Sequence, residues 1–228
     1  MNRQSDPIEL FRPDPNGECL CGKKKSFKSC CGSASDNRAP PFGMILKRGF
    51  LRTDTCDKLI AYAEKQSDDS LKVRKKLSGS EETFEEVDPH RVASRVNLGD
   101  KQKIIDTWVD DIFYKFFEKK VKRKIRSFED PQLMKYTAGG FYKRHSDADF
   151  FDEKKRQWCR IFDRDYSLLL YLNDDFRGGA VEFTYFNYTF EPKKGDLLIF
   201  PSNYLYLHEA KNVESGVRYV IVSWAATQ

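Results

Sequence analysis

The sequence predicts an α+β chain that is mainly β: a sandwich or jelly roll whose strands follow, and are braced by, helices packed on one sheet. Two observations carry this. Between Phe50 and Phe117 apolar residues recur at helical spacing, and after Pro131 eight short segments rich in β-branched and aromatic residues follow one another. Helices first and strands afterwards, with no internal repeat at a fixed period, argue for strands closing on themselves over a helical brace.

Taken in order, residues 1–18 are polar, contain Pro7, Pro13, Pro15 and Gly17, and read as irregular. Residues 19–32 hold four of the six cysteines, "SASDNRAPPFG" (33–43) reads as a linker, and the main domain runs over 44–228. "FLRTDTCDKLIAYAEKQ" reads as a helix capped by Thr53 or Asp54, with Cys56, Leu59, Ile60 and Ala63 on one face. A polar stretch, 67–90, follows, with a loop expected at "LSGSEETFEEVDPH". Asp100 is the expected cap of a stronger helix. There Ile104, Ile105, Trp108, Val109, Ile112, Phe113, Phe116 and Phe117 recur in pairs four apart, a wide stripe suited to packing on a sheet.

The eight strand segments are "QLMKYT", "FYKRHSD", "YSLLLYLN", "AVEFTYF", "YTFEPK", "GDLLIFP", "LYLHEA" and "RYVIVSWA". Gly139-Gly140, Asn173-Asp174, Gly178-Gly179, Pro192, Gly195, Pro201 and Gly216 punctuate most of their boundaries. Residues 148–165, between the second and third strands, form a long connection of the kind used as lids; Trp158 and the Phe150-Phe151 pair either cover a bound peptide or anchor the loop.

Composition narrows the function classes. The 228 residues are 39% apolar and 14% aromatic, enough for a real core despite 33% charged residues. No run of about 18 apolar residues exists, so no membrane span is expected. The N-terminus lacks an apolar h-region, so a cytoplasmic setting with reduced thiols is expected. Net charge is only +5. "KFFEKKVKRKIR" (115–126) carries seven cations and one Glu and reads as a solvated helix end, or as a contact for an anionic partner such as a ribosome. Direct nucleic-acid binding is not expected.

The chain has three histidines, His90, His145 and His208. In "YKRHSDAD" His145 and Asp147 are two apart, so on a strand both face one way and Ser146 the other. With His208 of "LYLHEA" they make two imidazoles and a carboxylate, a set that leaves metal positions open and suits non-haem Fe(II) oxygenases. The bland alternative for H-x-D is a hydrogen-bonded turn. Arg218, ten residues after His208 on the apolar strand "GVRYVIVSWA", shifts the balance. An inward guanidinium there needs an anion, and a dicarboxylate would supply one. Tyr136 and Tyr171 are either further donors to that carboxylate or ordinary core tyrosines.

"YTAGGFYKRHSDAD", "YSLLLYLNDDFRGGAVEF" and "PKKGDLLIFPSNYLYLHEAKNVESGVRYVIVSW" together resemble the 2-oxoglutarate and Fe(II)-dependent dioxygenases, above all the prolyl 4-hydroxylases, including the oxygen-sensing type. The resemblance covers about residues 90–226. It implies a double-stranded β-helix with the metal at its mouth. It implies His145, Asp147 and His208 as iron ligands, Arg218 as the partner of the 2-oxoglutarate C5 carboxylate, and Tyr136, Tyr171 and Trp224 around that cosubstrate. Tyr142 matches an aromatic just ahead of the first ligand. The chemistry implied uses Fe(II), 2-oxoglutarate and O2, with ascorbate a further candidate, and hydroxylates a prolyl residue of a protein substrate with release of succinate and CO2. The rival readings are a hydroxylase of a free amino acid or small molecule, and a non-catalytic zinc-dependent adaptor.

"CLCGKKKSFKSCCG" places Cys19, Cys21, Cys30 and Cys31 as C-x-C-x8-C-C, close enough to close a tetrahedral zinc site. The stretch is similar to the SEC-C zinc motif, with Lys23-Lys24 where that family has Ser-Gly. The resemblance implies structural Zn(II) and a protein or ribosome contact; the basic character of the stretch prompts a translation factor or ribosomal protein as the substrate. Cys56 and Cys159 read as ordinary buried or half-exposed thiols.

Overall fold

The structure, a computed structural model, describes residues 14–19, 23–30, 32, 40–76, 83–87 and 90–228, with only the backbone described for 72–76 and 83–87. Two antiparallel sheets face each other. The larger has eight strands, ordered Ile45–Lys47, Leu197–Pro201, Tyr166–Tyr171, Arg218–Thr227, Gln132–Tyr136, Ser94–Val96 and Asp68–Ser70, with Ile125–Phe128 paired to the far end of Arg218–Thr227. The smaller has five, ordered Tyr188–Phe190, Val181–Phe183, His208–Ala210, Phe141–His145 and Arg91–Val92. All eight segments predicted after Pro131 contribute a strand.

Strand alternation divides the core into two layers. Leu168, Leu170, Leu197, Ile199, Tyr219 and Ile221 face the helices, where they meet Cys56, Leu59, Ile105, Val109, Ile112, Phe113 and Phe117. Their neighbours Tyr171, Leu198, Phe200, Val220 and Val222 face the smaller sheet and meet Val181, Phe183, Tyr188 and Phe190. Burying each large apolar side chain contributes about 1.5–3 kcal/mol, so the central strands are held from both faces.

The helix starts differ from expectation. The first helix is Thr53–Ala63 with Arg52 in the capping position, so Thr53 and Asp54 lie inside its first turn. Asp54 instead accepts a hydrogen bond from Arg52 Nε at 2.9 Å and places a negative charge at the positive end of the helix. Asp100 lies within a single 3₁₀ turn, Gly99–Lys101, and makes no capping bond to the helix Gln102–Asp110 that follows. That helix widens into a π segment, Asp111–Phe117, whose Ile112, Phe113 and Phe117 are fully buried. Within the expected stripe, Ile104 is exposed, and Trp108 and Phe116 are half-buried.

The basic stretch is not a helix end throughout. The helix stops at Val121, Lys122 takes a left-handed conformation with φ 62°, and Ile125–Phe128 is a strand. Part of the loop expected in 77–90 is also a strand: Thr83–Val87 pairs with Lys72–Lys76. The connection 148–165 contains a hairpin, Asp149–Asp152 with Gln157–Arg160. In it Phe151 packs edge-on against Trp158, which stacks on Tyr204 with ring centroids 5.4 Å apart, so these two rings anchor the hairpin while Phe150 stays exposed.

Of the four clustered cysteines, Cys19 is buried and Cys30 half-buried; Cys21 and Cys31 lie outside the described residues. Cys56 is fully buried and Cys159 half-buried, in line with the sequence reading. Among the described residues no helix is long and apolar enough to cross a membrane.

Candidate active site

His145 ends the strand Phe141–His145, and His208 begins the neighbouring strand His208–Ala210 directly opposite it. Asp147 lies beyond the ladder, in a bend, so the expectation that strand alternation presents it beside His145 does not hold. Other contacts bring it in. Ser167 on the larger sheet donates to Asp147 Oδ2 at 2.6 Å, and with that hydrogen committed, Ser202 donates to Ser167 at 2.8 Å. Ser146 does point elsewhere, to the Ser202 carbonyl at 2.9 Å. The result is that ligand-competent atoms of His145, Asp147 and His208 all lie within 4.8 Å of one another.

Hydrogen bonding fixes which atoms are free to coordinate. His145 Nδ1 lies 2.7 Å from the Lys143 carbonyl, and His208 Nδ1 lies 3.0 Å from the Tyr206 carbonyl. A carbonyl only accepts, so each Nδ1 carries hydrogen, and in the neutral tautomer this selects the lone pair is on Nε2. Both Nε2 atoms face Asp147, at 3.5 Å from Oδ1 for His145 and 3.7 Å from Oδ2 for His208. Burial, aided by the neighbouring His145, lowers the His208 imidazole to about 4, against the opposing pull of Asp147. Burial alone would raise the Asp147 carboxyl, but His208, His145 and the Ser167 hydroxyl outweigh it and hold it below the usual carboxylate range. A neutral imidazole and an ionised carboxylate are the states a divalent cation takes.

The same pocket extends to Arg218. Its lining includes Tyr136, Tyr142, Tyr171, Trp224, His145, Asp147 and His208, every expected site residue of the domain. Arg218 is 1% exposed, and its guanidinium packs 4.0 Å from the centre of the Tyr136 ring, on the directly opposite strand position. Nη1 donates to the Gly179 carbonyl at 2.6 Å, while Nε is buried with no partner. Among the described residues no carboxylate pairs with Arg218. An orphaned buried donor on a fixed cation calls for an anion, and a carboxylate fits it. Gly179 takes φ 66°, a conformation that L side chains rarely adopt, and a Cβ there would also crowd Phe176 at 3.0 Å and Arg218 Nη1 at 3.3 Å. Burial pushes the Tyr171 phenol up, so its hydroxyl remains a donor. Tyr142 stacks on His145 with ring centroids 3.5 Å apart. Apolar walls come from Leu169, Val181, Val220 and Val222.

Sequence reasoning missed Arg91, Arg164, Ser167 and Gly179. Arg91 lines the pocket, lies 4.6 Å from the Tyr142 ring centre, and donates from Nε to the Tyr136 hydroxyl at 3.3 Å. No local motif marks any of the four. Gly179 alone left a trace, as the second glycine of "RGGA".

Residues 131–226 match the family described as "2OG-Fe(II) oxygenase superfamily". A stretch of 109 residues is 31% identical to a protein of Acanthamoeba polyphaga mimivirus that carries the name of a prolyl 4-hydroxylase, covering 42% of this chain and 44% of the relative. The chain thus spans less than half the length of that curated relative. Among solved structures it is similar to the viral collagen prolyl hydroxylase of Paramecium Bursaria Chlorella virus-1 in its 2OG complex, at 23% identity and a TM-score of 0.56 over 82% of this chain and 97% of the other. It is also similar to a Trichoplax adhaerens prolyl hydroxylase in complex with a hypoxia inducible factor oxygen degradation domain peptide fragment, at 19% identity and a TM-score of 0.57 over 81% and 83%. At these identities the solved structures share the fold.

Proposed function

We propose, taking as premise that residues 131–226 are a 2OG-Fe(II) oxygenase domain with prolyl hydroxylase relatives, that the chain is a 2-oxoglutarate-dependent dioxygenase acting on a prolyl residue of a protein substrate. One observation carries this reading. A single pocket joins three convergent donors, His145, Asp147 and His208, to a buried guanidinium with an unused donor, Arg218. Such a pocket suits a metal at one end and the far carboxylate of a dicarboxylate at the other.

Fe(II), 2-oxoglutarate and dioxygen supply the oxidation of a substrate C–H to C–OH, with succinate and CO2 released. His145 and His208 would hold the metal through Nε2 and Asp147 through its carboxylate. Arg218 would grip the C5 carboxylate, with Tyr171 adding a donor from its protonated phenol. Tyr136 orients the Arg218 guanidinium across its ring face, and Arg91 holds the Tyr136 hydroxyl in turn. Leu169, Val181, Val220 and Val222 keep water from the space between the two ends. The Tyr142 and Trp224 rings complete the walls.

The prolyl assignment is supported by the kind of relatives found, and a peptidic substrate by the peptide-bound Trichoplax protein. The proposal extends to structural Zn(II) on Cys19, Cys21, Cys30 and Cys31. Cys19 is buried, and the ring of Phe27, within the same stretch, lies with its centroid 6.3 Å from that of Phe186, which supports a compact motif at this position. A translation factor or ribosomal protein is the proposed substrate class, in a cytoplasmic setting where thiols stay reduced.

The test is incubation of the full chain with Fe(II), 2-oxoglutarate and proline-containing peptides from translation proteins, read by mass spectrometry. One oxygen atom gained on proline supports the proposal. In a parallel incubation with free amino acids, oxygen gained there while every peptide stays unchanged overturns the prolyl reading.

A further inference from the structure

Asp147 belongs to the proposed metal set, yet no sheet ladder fixes its backbone, because its strand ends at His145. The next residue, Ala148, is held by its N–H to the Ser202 carbonyl at 3.0 Å, and at Asp147 itself the main-chain contact comes from Arg164. Arg164 lies between the hairpin and the strand Tyr166–Tyr171, with its side chain only 16% exposed. Its Nη1 donates to the Asp147 main-chain carbonyl at 3.1 Å. Its Nε and Nη2 form a fork on Glu129, with Nη2 to Oε2 at 2.7 Å. Its guanidinium lies 4.0 Å from the Trp224 ring centre and 4.4 Å from that of Phe162.

Glu129 is itself anchored to the strand that carries Arg218. Its N–H donates to the Trp224 carbonyl at 2.8 Å, and its carbonyl accepts from Ser223 Oγ at 2.7 Å. One guanidinium therefore ties the metal-ligand bend to the cosubstrate strand. A planar fork with five donors can hold a carboxylate on one edge and a carbonyl on another; an ammonium cannot keep both in fixed register. Ser167 holds the Asp147 carboxylate, and Arg164 holds its main chain.

We propose that Arg164 is a positioning residue: braced by Glu129, it fixes the Asp147 main chain, and so the carboxylate, in the geometry the metal requires, and it seats the Trp224 wall of the pocket in the same contact. This rests on reading the pocket as a metal site. Supports of ligating carboxylates typically change metal affinity by roughly 10–100-fold when removed.

The test is Mn(II) titration of the full chain by electron paramagnetic resonance, which needs no turnover, with thermal unfolding measured on the same samples. Arg164→Lys is expected to weaken Mn(II) binding by roughly 10–100-fold while the protein stays folded. The charge swap Glu129→Arg with Arg164→Glu restores an ion pair but leaves no donor for the Asp147 carbonyl, so it is expected to recover thermal stability without recovering Mn(II) affinity. Wild-type affinity in Arg164→Lys, or recovery of both properties in the swap, overturns the proposal and leaves the metal site standing. Failure of the wild-type protein to bind Mn(II) removes the metal-site reading and this inference with it.

Discussion

His208 lies directly opposite His145 across an antiparallel ladder, with ring centroids 4.3 Å apart, and each ring is tied through Nδ1 to the carbonyl two residues before it. The pairing of two strands, rather than alternation along one, builds the imidazole half of the site. Because the register places the rings, each ring offers its Nε2 lone pair before any ion arrives.

Replacing either histidine by alanine removes one of three donors. His145→Ala and His208→Ala are each expected to weaken Mn(II) binding beyond the roughly 10–100-fold that follows loss of an outer support. Electron paramagnetic resonance titration checks this, with circular dichroism confirming that the sheets remain.

Ser167→Ala leaves the buried Asp147 carboxylate without its hydroxyl donor and Ser202 without its acceptor. Metal affinity is expected to fall by roughly 10–100-fold, and stability by about 1–3 kcal/mol for the buried groups left unpaired. Metal titration and urea unfolding measure the two effects separately.

Arg218→Lys keeps the charge but loses the planar fork and the bond to Gly179. 2-Oxoglutarate binding to the Mn(II)-loaded protein is expected to weaken by at least about tenfold, since a charge-assisted hydrogen bond contributes about 1.5–3 kcal/mol. Mn(II) affinity itself is expected to be unchanged. Calorimetry with and without 2-oxoglutarate separates these outcomes.

Asp165 clamps the end of the C-terminal strand. Its Oδ2 accepts from the Thr227 N–H at 2.7 Å and from Thr227 Oγ1 at 2.8 Å, and Arg160 donates to Oδ1 at 2.9 Å. Burial raises this carboxyl, but the Thr227 and Arg160 contacts outweigh it and the net shift is downward. A carboxylate lowered on folding adds stability that is full above its unfolded value of about 3.9 and is lost as pH falls through the folded value. Asp165→Asn is therefore expected to be less stable at neutral pH and to lose less stability below about pH 4. Urea midpoints across pH check the sign.

Cys56 is fully buried, and burial pushes its thiol up to about 11. It is expected to resist alkylation at neutral pH in the folded protein, while half-buried Cys159 reacts first. Peptide mapping after brief iodoacetamide treatment distinguishes the two.

The strands after Pro131 are legible in sequence because apolar alternation and glycine or proline punctuation coincide there. Ile125–Phe128 and Asp149–Asp152 are hidden by their charged and exposed positions, which carry no alternation signal. His145, Asp147, His208 and Arg218 are legible as residue types, but the geometry inferred for Asp147 is not the one found. The ladder ends before it, and Ser167 and Arg164, 20 and 17 residues away, hold it instead. Long-range side-chain braces leave no periodic trace, and neither do Arg91 and its contact with Tyr136. The first helix starts from Arg52, whose side chain makes no capping bond, so Thr53 and Asp54, the residue types that signal a cap in sequence, lie inside the first turn.

The most direct test of the central claim is succinate formation from 2-oxoglutarate by the purified full chain with Fe(II) in air, compared with folded His145→Ala. The wild-type protein is expected to form succinate, even without a peptide at a low uncoupled rate, and the variant none above background. Equal succinate from the two proteins would contradict the claim.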